Sequence, residues 1–320
     1  MTGLEDAALL AVVAIGSALG ASALPQASWP RRSPAAAILL WQALGLAAGL
    51  AAVGTLIGLA MPASRIGLVS SVLRAGALLR AGGLFRLTGE VSFGAAGGVP
   101  MVVVAIRLAC LTAGLFLLAS LCWVLVAASV AALQARRRQR ALLTLLAHGD
   151  PKVPGALVVD YPTAAAYCLP GLRSQIVVSV GTLRLLGRGE LAAVLAHERA
   201  HLRERHDLVL LPFTALRRAF PRSSTCTDAH RAVALLVEML ADDRALRGGP
   251  ARELVSALVR FGTAGSCPAP AGALAAAEGE VAARVTRLLQ PVRPLPAAAV
   301  LAVCLAAALL VAAPITLLIV

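Results

Sequence analysis

The feature that most constrains this chain is a set of four apolar stretches, each long enough to cross a lipid bilayer. A helix needs about 20 apolar residues to span a hydrocarbon core of about 30 Å. Hydrophobic residues make up 59% of the chain and charged residues only 14%, which excludes an ordinary soluble protein. We therefore expect a membrane protein with four spanning helices. The predicted spans are Ala7–Leu24, Ala36–Ala60, Leu108–Leu133 and Ala297–Val320.

The placement of arginines predicts how these spans are oriented. Arg31 and Arg32 follow the first span, and positively charged loops stay on the cytoplasmic side. Four more arginines follow the third span, namely Arg136, Arg137, Arg138 and Arg140. We therefore expect a multi-pass protein of the plasma membrane, with its N-terminus outside and the segment after the third span in the cytoplasm. The loop Pro62–Pro100 argues against this orientation, because it carries four arginines and one acidic residue.

The first span resembles a signal peptide only in its apolar core. Its leader contains Glu5 and Asp6 and no basic residue, whereas a secretory leader is basic. We expect this span to be retained. In the loop Pro62–Pro100, apolar residues alternate with arginines at helical spacing, which favours an interfacial amphipathic helix over a ligand-sensing loop. The apolar residues are Leu68, Val69, Val72, Leu73 and Leu79.

The net charge of +13 comes almost entirely from arginine, since Lys152 is the only lysine. Aromatic residues make up 3% of the chain, and no motif typical of nucleic-acid binding is present. We interpret the arginines as markers of membrane orientation and as contacts to lipid headgroups. The sequence therefore predicts a lipid bilayer as partner and no direct binding to nucleic acid. Six cysteines are scattered without a CxxC pair, which indicates neither a disulfide framework nor a cysteine zinc site.

The stretch between the third and fourth spans carries the chemistry. Ala156–Asp160 and Ile176–Val180 alternate as short strands do, and a helix is predicted from about Glu190 to His206. This helix contains the motif HERAH, with histidines at positions 197 and 201. Four residues turn a helix by about 400°, so His197 and His201 lie on one face and can hold one Zn²⁺. In the known zinc-peptidase geometry, Glu198 takes a proton from the attacking water as general base.

A catalytic zinc ion needs a third protein ligand, and Glu238 is the candidate on a later helix. Asp242 lies four residues further on the same helix face, where it can accept the free N–H of a ligand histidine. An alternative interpretation is a solvated acidic patch paired with Arg244 or Arg247. Other candidates for the third ligand are Asp243, His230 and His206, although His206 is predicted to point away from the metal face.

The strand at residues 174–179 lies just before the zinc helix. An extended peptide can add to the free edge of a sheet, and that would present its peptide carbonyl to the metal. We therefore predict that Ile176, Val177 and Val178 bind substrate as such an edge. An ordinary core strand is an equally good interpretation of the same residues.

Three segments together resemble a known family. LAAVLAHERAHLRERHD, preceded by YCLPGLRSQIVVSVGTL and followed by VEMLADDRAL, resembles the BlaR/MecR-type membrane metallopeptidases. Their HtpX/Ste24-like relatives share HExxH plus ExxxD. The resemblance covers roughly Gly155–Gly248, and the membrane layout, including WPRRSPAAAILLWQALG, is similar to short actinobacterial members.

The resemblance implies a small gluzincin-like zinc domain. It also implies that His197, His201 and Glu238 are zinc ligands, that Glu198 is the base and that Asp242 supports a ligand histidine. In the antibiotic-sensing members a penicillin-binding domain follows the last span and is acylated at an SxxK serine. This chain ends with its last span, and Gly149 stands three residues before Lys152, so direct acylation by a β-lactam is not expected.

The sequence thus predicts a mainly α-helical membrane protein with a small α+β zinc metallopeptidase domain. The expected domains are a membrane region at 1–140, a cytoplasmic peptidase domain at 141–296 and a fourth span at 297–320. The expected activity is that of a one-zinc endopeptidase acting on a cytosolic repressor or a membrane protein. The alternative is a signalling or scaffold protein whose zinc site is structural or unused. The spans contain almost no charged residues, which disfavours a transporter, and a homo-oligomer is compatible with the sequence.

Overall fold

The computed structural model describes residues 3–60, 101–151, 153–171, 174–264, 271–290 and 293–319. The predicted interfacial helix at residues 68–79 lies outside the described residues. The chain divides into two units. The first comprises Met1–Gln26, Leu39–Val124 and Ala298–Val320, and the second comprises Ala27–Ile38 and Leu125–Ala297.

Helices dominate the described part of the chain, and one small sheet accompanies them. The helices are α1 (Gly3–Ala23), α2 (Pro34–Ala60), α3 (Met101–Leu146), α4 (Val180–Leu185), α5 (Arg188–Arg203), α6 (His206–Ala219), α7 (Ser224–Ala245), α8 (Ala251–Thr263), α9 (Ala271–Leu289) and α10 (Ala297–Ile319). The strands are β1 (Ala147–Gly149), β2 (Ala156–Val159), β3 (Ala166–Leu169) and β4 (Gln175–Ser179).

Four of the described helices, α1, α2, α3 and α10, are long and apolar enough to cross a membrane. The prediction of four membrane-spanning helices is confirmed at this level of length and composition. Helix α3 has 46 residues and extends beyond the predicted span at both ends. Its arginine-rich end continues the helix because arginine is a good helix former. The predicted domain boundary at residue 140 therefore falls inside a helix.

Small residues allow the helices of the first unit to approach closely. A Cβ atom added to Gly58 would lie 3.2 Å from the Cβ of Ala7, and one added to Gly114 would lie 2.9 Å from Cγ1 of Ile57. Lipid offers little hydrophobic driving force, so such close contact is the main source of helix association in a membrane.

In the second unit, the sheet has the strand order β1-β2-β4-β3. Strand β4 is parallel to β2 on one side and antiparallel to β3 on the other. The prediction that Ile176, Val177 and Val178 form a substrate-binding edge is therefore wrong. All three are buried, with Val178 fully covered. A continuous apolar run covered on both faces is typical of an internal strand, and the core-strand interpretation was the correct one.

Helix α5 begins and ends for identifiable reasons. The backbone N–H of Gly187 donates to Oε2 of Glu190 at 2.7 Å, which caps the helix start. Leu195 packs into a core formed with Val158, Ile176 and other residues of the sheet. The predicted helix to His206 is shorter in the structure, because Arg205 adopts a left-handed conformation (φ 52°) between α5 and α6.

Candidate metal centre

Three side chains from two helices converge on one point. Nε2 of His197 lies 3.0 Å from Nε2 of His201. Oε2 of Glu238 lies 3.3 Å from Nε2 of His197, and Oε1 lies 3.5 Å from Nε2 of His201. Zinc bonds of about 2.0–2.1 Å in a tetrahedron separate neighbouring ligand atoms by about 3.4 Å. The three side chains therefore fit a zinc ion. Among the described residues they group as possible metal ligands, and we call them the metal-binding group.

The outer nitrogen of His197 faces Asp242. Nδ1 of His197 lies 3.0 Å from Oδ1 of Asp242, whose side chain is only 1% exposed. This contact holds the N–H on Nδ1, so Nε2 is the nitrogen that faces the other two ligands. The structure thus places Asp242 where the sequence predicts it, behind the first histidine.

The outer nitrogen of His201 faces another histidine. Nδ1 of His201 lies 2.9 Å from Nδ1 of His206, which is buried. The left-handed turn at Arg205 brings His206 back under α5. His206 therefore contacts His201 from behind and stays away from the metal side, as the sequence indicates.

The remaining alternatives for the third ligand do not join the cluster. Asp243 accepts two hydrogen bonds from the Arg287 guanidinium, at 2.6 and 2.9 Å. Among the described residues, His230 is not part of the metal-binding group. Glu238 is the carboxylate that the structure brings to the two histidines.

Arg284, on helix α9, contacts two residues of the site and was not predicted from the sequence. Its Nε and NH2 donate to the two oxygens of Asp242 at 2.9 and 2.7 Å, and its NH1 lies 2.9 Å from Oε2 of Glu238. Arg287 forms the neighbouring pair with Asp243, so two arginines one helical turn apart face adjacent aspartates. That spacing was visible in the sequence, but the pairing between α7 and α9 was not.

Burial and charge move the pKa values of the ligand side chains in opposite directions. Desolvation lowers the pKa of His197, but its contacts with Asp242 and Glu238 outweigh this effect and raise the pKa to about 9. Desolvation dominates at His201 and lowers its pKa to about 4. At Glu238, desolvation is outweighed by His197 and Arg284, which lower its pKa to about 2.

Glu198 lies beside the ligands in a poorly solvated position. Desolvation raises its pKa to about 7, although the charge of His197 acts in the opposite direction. The thiol of Cys168 shares a hydrogen bond with this carboxylate, and burial raises the pKa of the thiol to about 12. The thiol therefore stays protonated and is the donor in that contact. A carboxylate with a pKa near neutrality is suited to accept and return a proton.

The metal-binding group opens into a cleft of about 270 Å³. One wall is formed by Ala164 and Ala165, which precede β3, and by Ala166, its first residue. The other described lining residues are Val194, His197, Glu198, Glu238, Leu254, Leu258, Phe261 and Arg284. A cleft that combines apolar walls with a few convergent polar groups is typical of a binding site for a small or extended substrate.

Comparison with known proteins supports a metallopeptidase. Residues 125–234 match the profile of peptidase family M48, so this part of the chain is similar to the M48 metallopeptidases. The matched region contains His197, Glu198 and His201 and stops four residues before Glu238. No curated protein and no solved structure gives a significant match to the chain.

In a Glu198→Gln variant, which lacks the other group with a pKa near 7, zinc binding is expected to release about one proton at pH 7. In the metal-free protein His197 is protonated at this pH, while His201 is neutral and Glu238 is ionised. Zinc binds only the neutral imidazole, so it must displace the proton of His197. For this variant we predict that the zinc affinity rises about tenfold per pH unit between pH 5 and pH 8 and levels off above pH 9.

Calorimetry in buffers of different ionisation enthalpy measures this proton directly. The Glu198→Gln variant is the appropriate protein, because it removes the other group with a pKa near 7. A zinc affinity that does not change between pH 5 and pH 8 would contradict the assignment of His197 as a ligand.

Proposed function

We propose that this protein is an integral-membrane zinc endopeptidase of the BlaR/MecR type. The observation that carries the proposal is the cluster of His197, His201 and Glu238, whose ligand atoms all lie within 4.8 Å of one another, with Glu198 beside them in an open cleft. The match to peptidase family M48 supports the same reaction class. Zinc bound by these three ligands would supply the Lewis acid that activates water and the peptide carbonyl.

Glu198 moves the proton in this proposal. It accepts a proton from water while the water oxygen bonds to the carbonyl carbon, and it delivers that proton to the amine nitrogen as the C–N bond breaks. A nearby cation lowers the pKa of a carboxylate, so Glu198 is ionised in the metal-bound enzyme at neutral pH. The thiol of Cys168 donates a hydrogen bond to this carboxylate.

Location and substrate are further parts of the proposal. The arginines after the first and third spans favour an external N-terminus and a cytoplasmic peptidase domain in the plasma membrane. With the peptidase domain in the cytoplasm, the proposed substrate is a cytosolic repressor or a membrane protein. The four apolar helices are consistent with a protein that is permanently embedded in the bilayer.

Substrate is proposed to bind along β3, which is the edge strand nearest the metal-binding group. Ser179 N–H donates to the carbonyl of Ala165 at 2.8 Å, so residue 165 directs its backbone toward β4. Backbone direction alternates along a strand, and the N–H and C=O of Ala166 and Cys168 therefore point to the free edge. Because Ala166 also lines the cleft, an added peptide strand would run past Glu198.

The catalytic assignment is tested with three single variants. His197→Ala and Glu238→Ala remove ligands and are expected to lose the bound zinc and all cleavage. Glu198→Gln keeps the ligand set and is expected to hold about one zinc per chain while cleavage falls by at least about 10³-fold. The zinc content of the detergent-purified proteins is measured by atomic absorption. Cleavage is measured with an unfolded protein as substrate.

Two outcomes would contradict this assignment. Retention of zinc by the Glu238→Ala variant would show that the third ligand is a different residue. A wild-type protein that holds zinc but cleaves nothing, and whose cellular effect survives Glu198→Gln, would favour the signalling or scaffold alternative.

The proposed substrate strand is tested by Ala166→Pro. Proline removes the outward N–H of residue 166 but leaves the hydrogen bonds to β4 in place, and proline is tolerated on an edge strand. The loss of one backbone hydrogen bond should raise KM by about 3- to 10-fold without changing the zinc content. An unchanged KM would show that substrate does not pair with β3.

A further inference from the structure

The cleft contains one side chain whose role the proposed function leaves open. In the transition state of peptide hydrolysis, negative charge develops on the carbonyl oxygen. Enzymes that catalyse acyl transfer place a hydrogen-bond donor next to this oxygen. Among the described residues that line the cleft, most are apolar and two are carboxylates. The imidazole of His197 is committed to Asp242 and to the metal-binding group. Arg284 is the remaining side chain with N–H groups.

The guanidinium of Arg284 is held rigidly. It has five N–H bonds, and three of them are directed at Asp242 and Glu238 at distances of 2.7 to 2.9 Å. This leaves two N–H bonds without a carboxylate partner. The side chain is only 10% exposed, so its orientation is set by these contacts before any substrate arrives. A donor that is already oriented does not have to reorganise during the reaction.

A second pair joins α9 to α7 next to the contacts of Arg284. Arg287, one turn further along α9, forms a two-bond pair with Asp243 next to Asp242. Arg287 therefore helps to fix α9 against α7 without contacting Glu238 or Asp242. Arg284 lines the cleft, whereas Arg287 is not among the described residues that line it.

We infer that Arg284 is a catalytic residue that donates a hydrogen bond to the peptide carbonyl oxygen and stabilises the negative charge that develops on it. This inference rests on the proposed peptidase function. In the step concerned, the water oxygen bonds to the carbonyl carbon, the C=O electron pair moves to oxygen and Glu198 takes the water proton. Arg284 keeps its own proton throughout and faces the oxygen as a fixed positive charge.

The test compares Arg284→Gln and Arg284→Lys with Arg287→Gln as the matched control. All three proteins are purified in full length, loaded with zinc and assayed for zinc content, kcat and KM. Removal of one donor to an oxyanion lowers kcat by about 10²- to 10³-fold. We expect this loss for Arg284→Gln with little change in KM and with about one zinc retained. Arg287→Gln should keep kcat within about threefold, because its guanidinium contacts neither Glu238 nor Asp242.

A binding measurement separates this role from a purely structural one. A peptide phosphonate carries a tetrahedral anion in place of the reacting carbonyl, whereas a reduced peptide analogue with a methylene there does not. In Arg284→Lys, the affinity for the phosphonate should fall at least about tenfold, while that for the reduced analogue should stay within about twofold. Lysine keeps the charge but cannot present paired N–H groups in the same plane.

Two results would overturn the inference. If both Arg284 variants lose their zinc, the residue orients the ligands and is not a donor to substrate. If they keep zinc and cleave at the wild-type rate, the oxyanion is stabilised elsewhere. A wild-type protein without any cleavage would count against the proposed function itself, and it is recognised before the variants are compared.

Discussion

A buried network of opposite charges holds the candidate centre together. Asp242 and Glu238 lie one turn apart on α7, and each contacts both His197 and Arg284. Two carboxylates this close repel each other, and the cations on either side compensate for that repulsion and for the loss of water. Removing one partner from such a buried pair costs about 3–5 kcal/mol, because the remaining charge is left without compensation. The positions of α5, α7 and α9 depend on this network.

The same network explains how distant parts of the chain form one site. Helix α5 supplies the two histidines and Glu198, α7 supplies the carboxylates and α9 supplies Arg284. The two histidines have different partners, since His197 contacts the buried carboxylate of Asp242 and His201 contacts the ring of His206. Outer contacts of this kind fix the tautomer of a metal-binding imidazole. The cleft is lined by residues of α5, α7, α8 and α9 and by the start of β3.

Sequence patterns that act within one helix were the most informative. The spacing of His197 and His201 fixes one helix face, and the spacing of Glu238 and Asp242 fixes another, so the side chains that converge in the structure were predicted by number. The four apolar helices were also predicted, because length and composition are enough to identify a helix that can span a membrane. The edge strand was assigned incorrectly, since strand order depends on pairing between residues far apart in the chain. Arg284 was not predicted, because its partners Asp242 and Glu238 lie on a different helix.

The measurement that tests the account most directly is X-ray absorption at the zinc edge of the purified, zinc-loaded protein. The account predicts two imidazole nitrogens and at least one oxygen at about 2.0–2.2 Å, with no sulfur at about 2.3 Å. In the Glu238→Ala variant, the signal from the carboxylate oxygen of Glu238 should be lost, together with most of the bound zinc. A zinc–sulfur distance, or a spectrum that is unchanged when Glu238 is replaced, would contradict the centre described above.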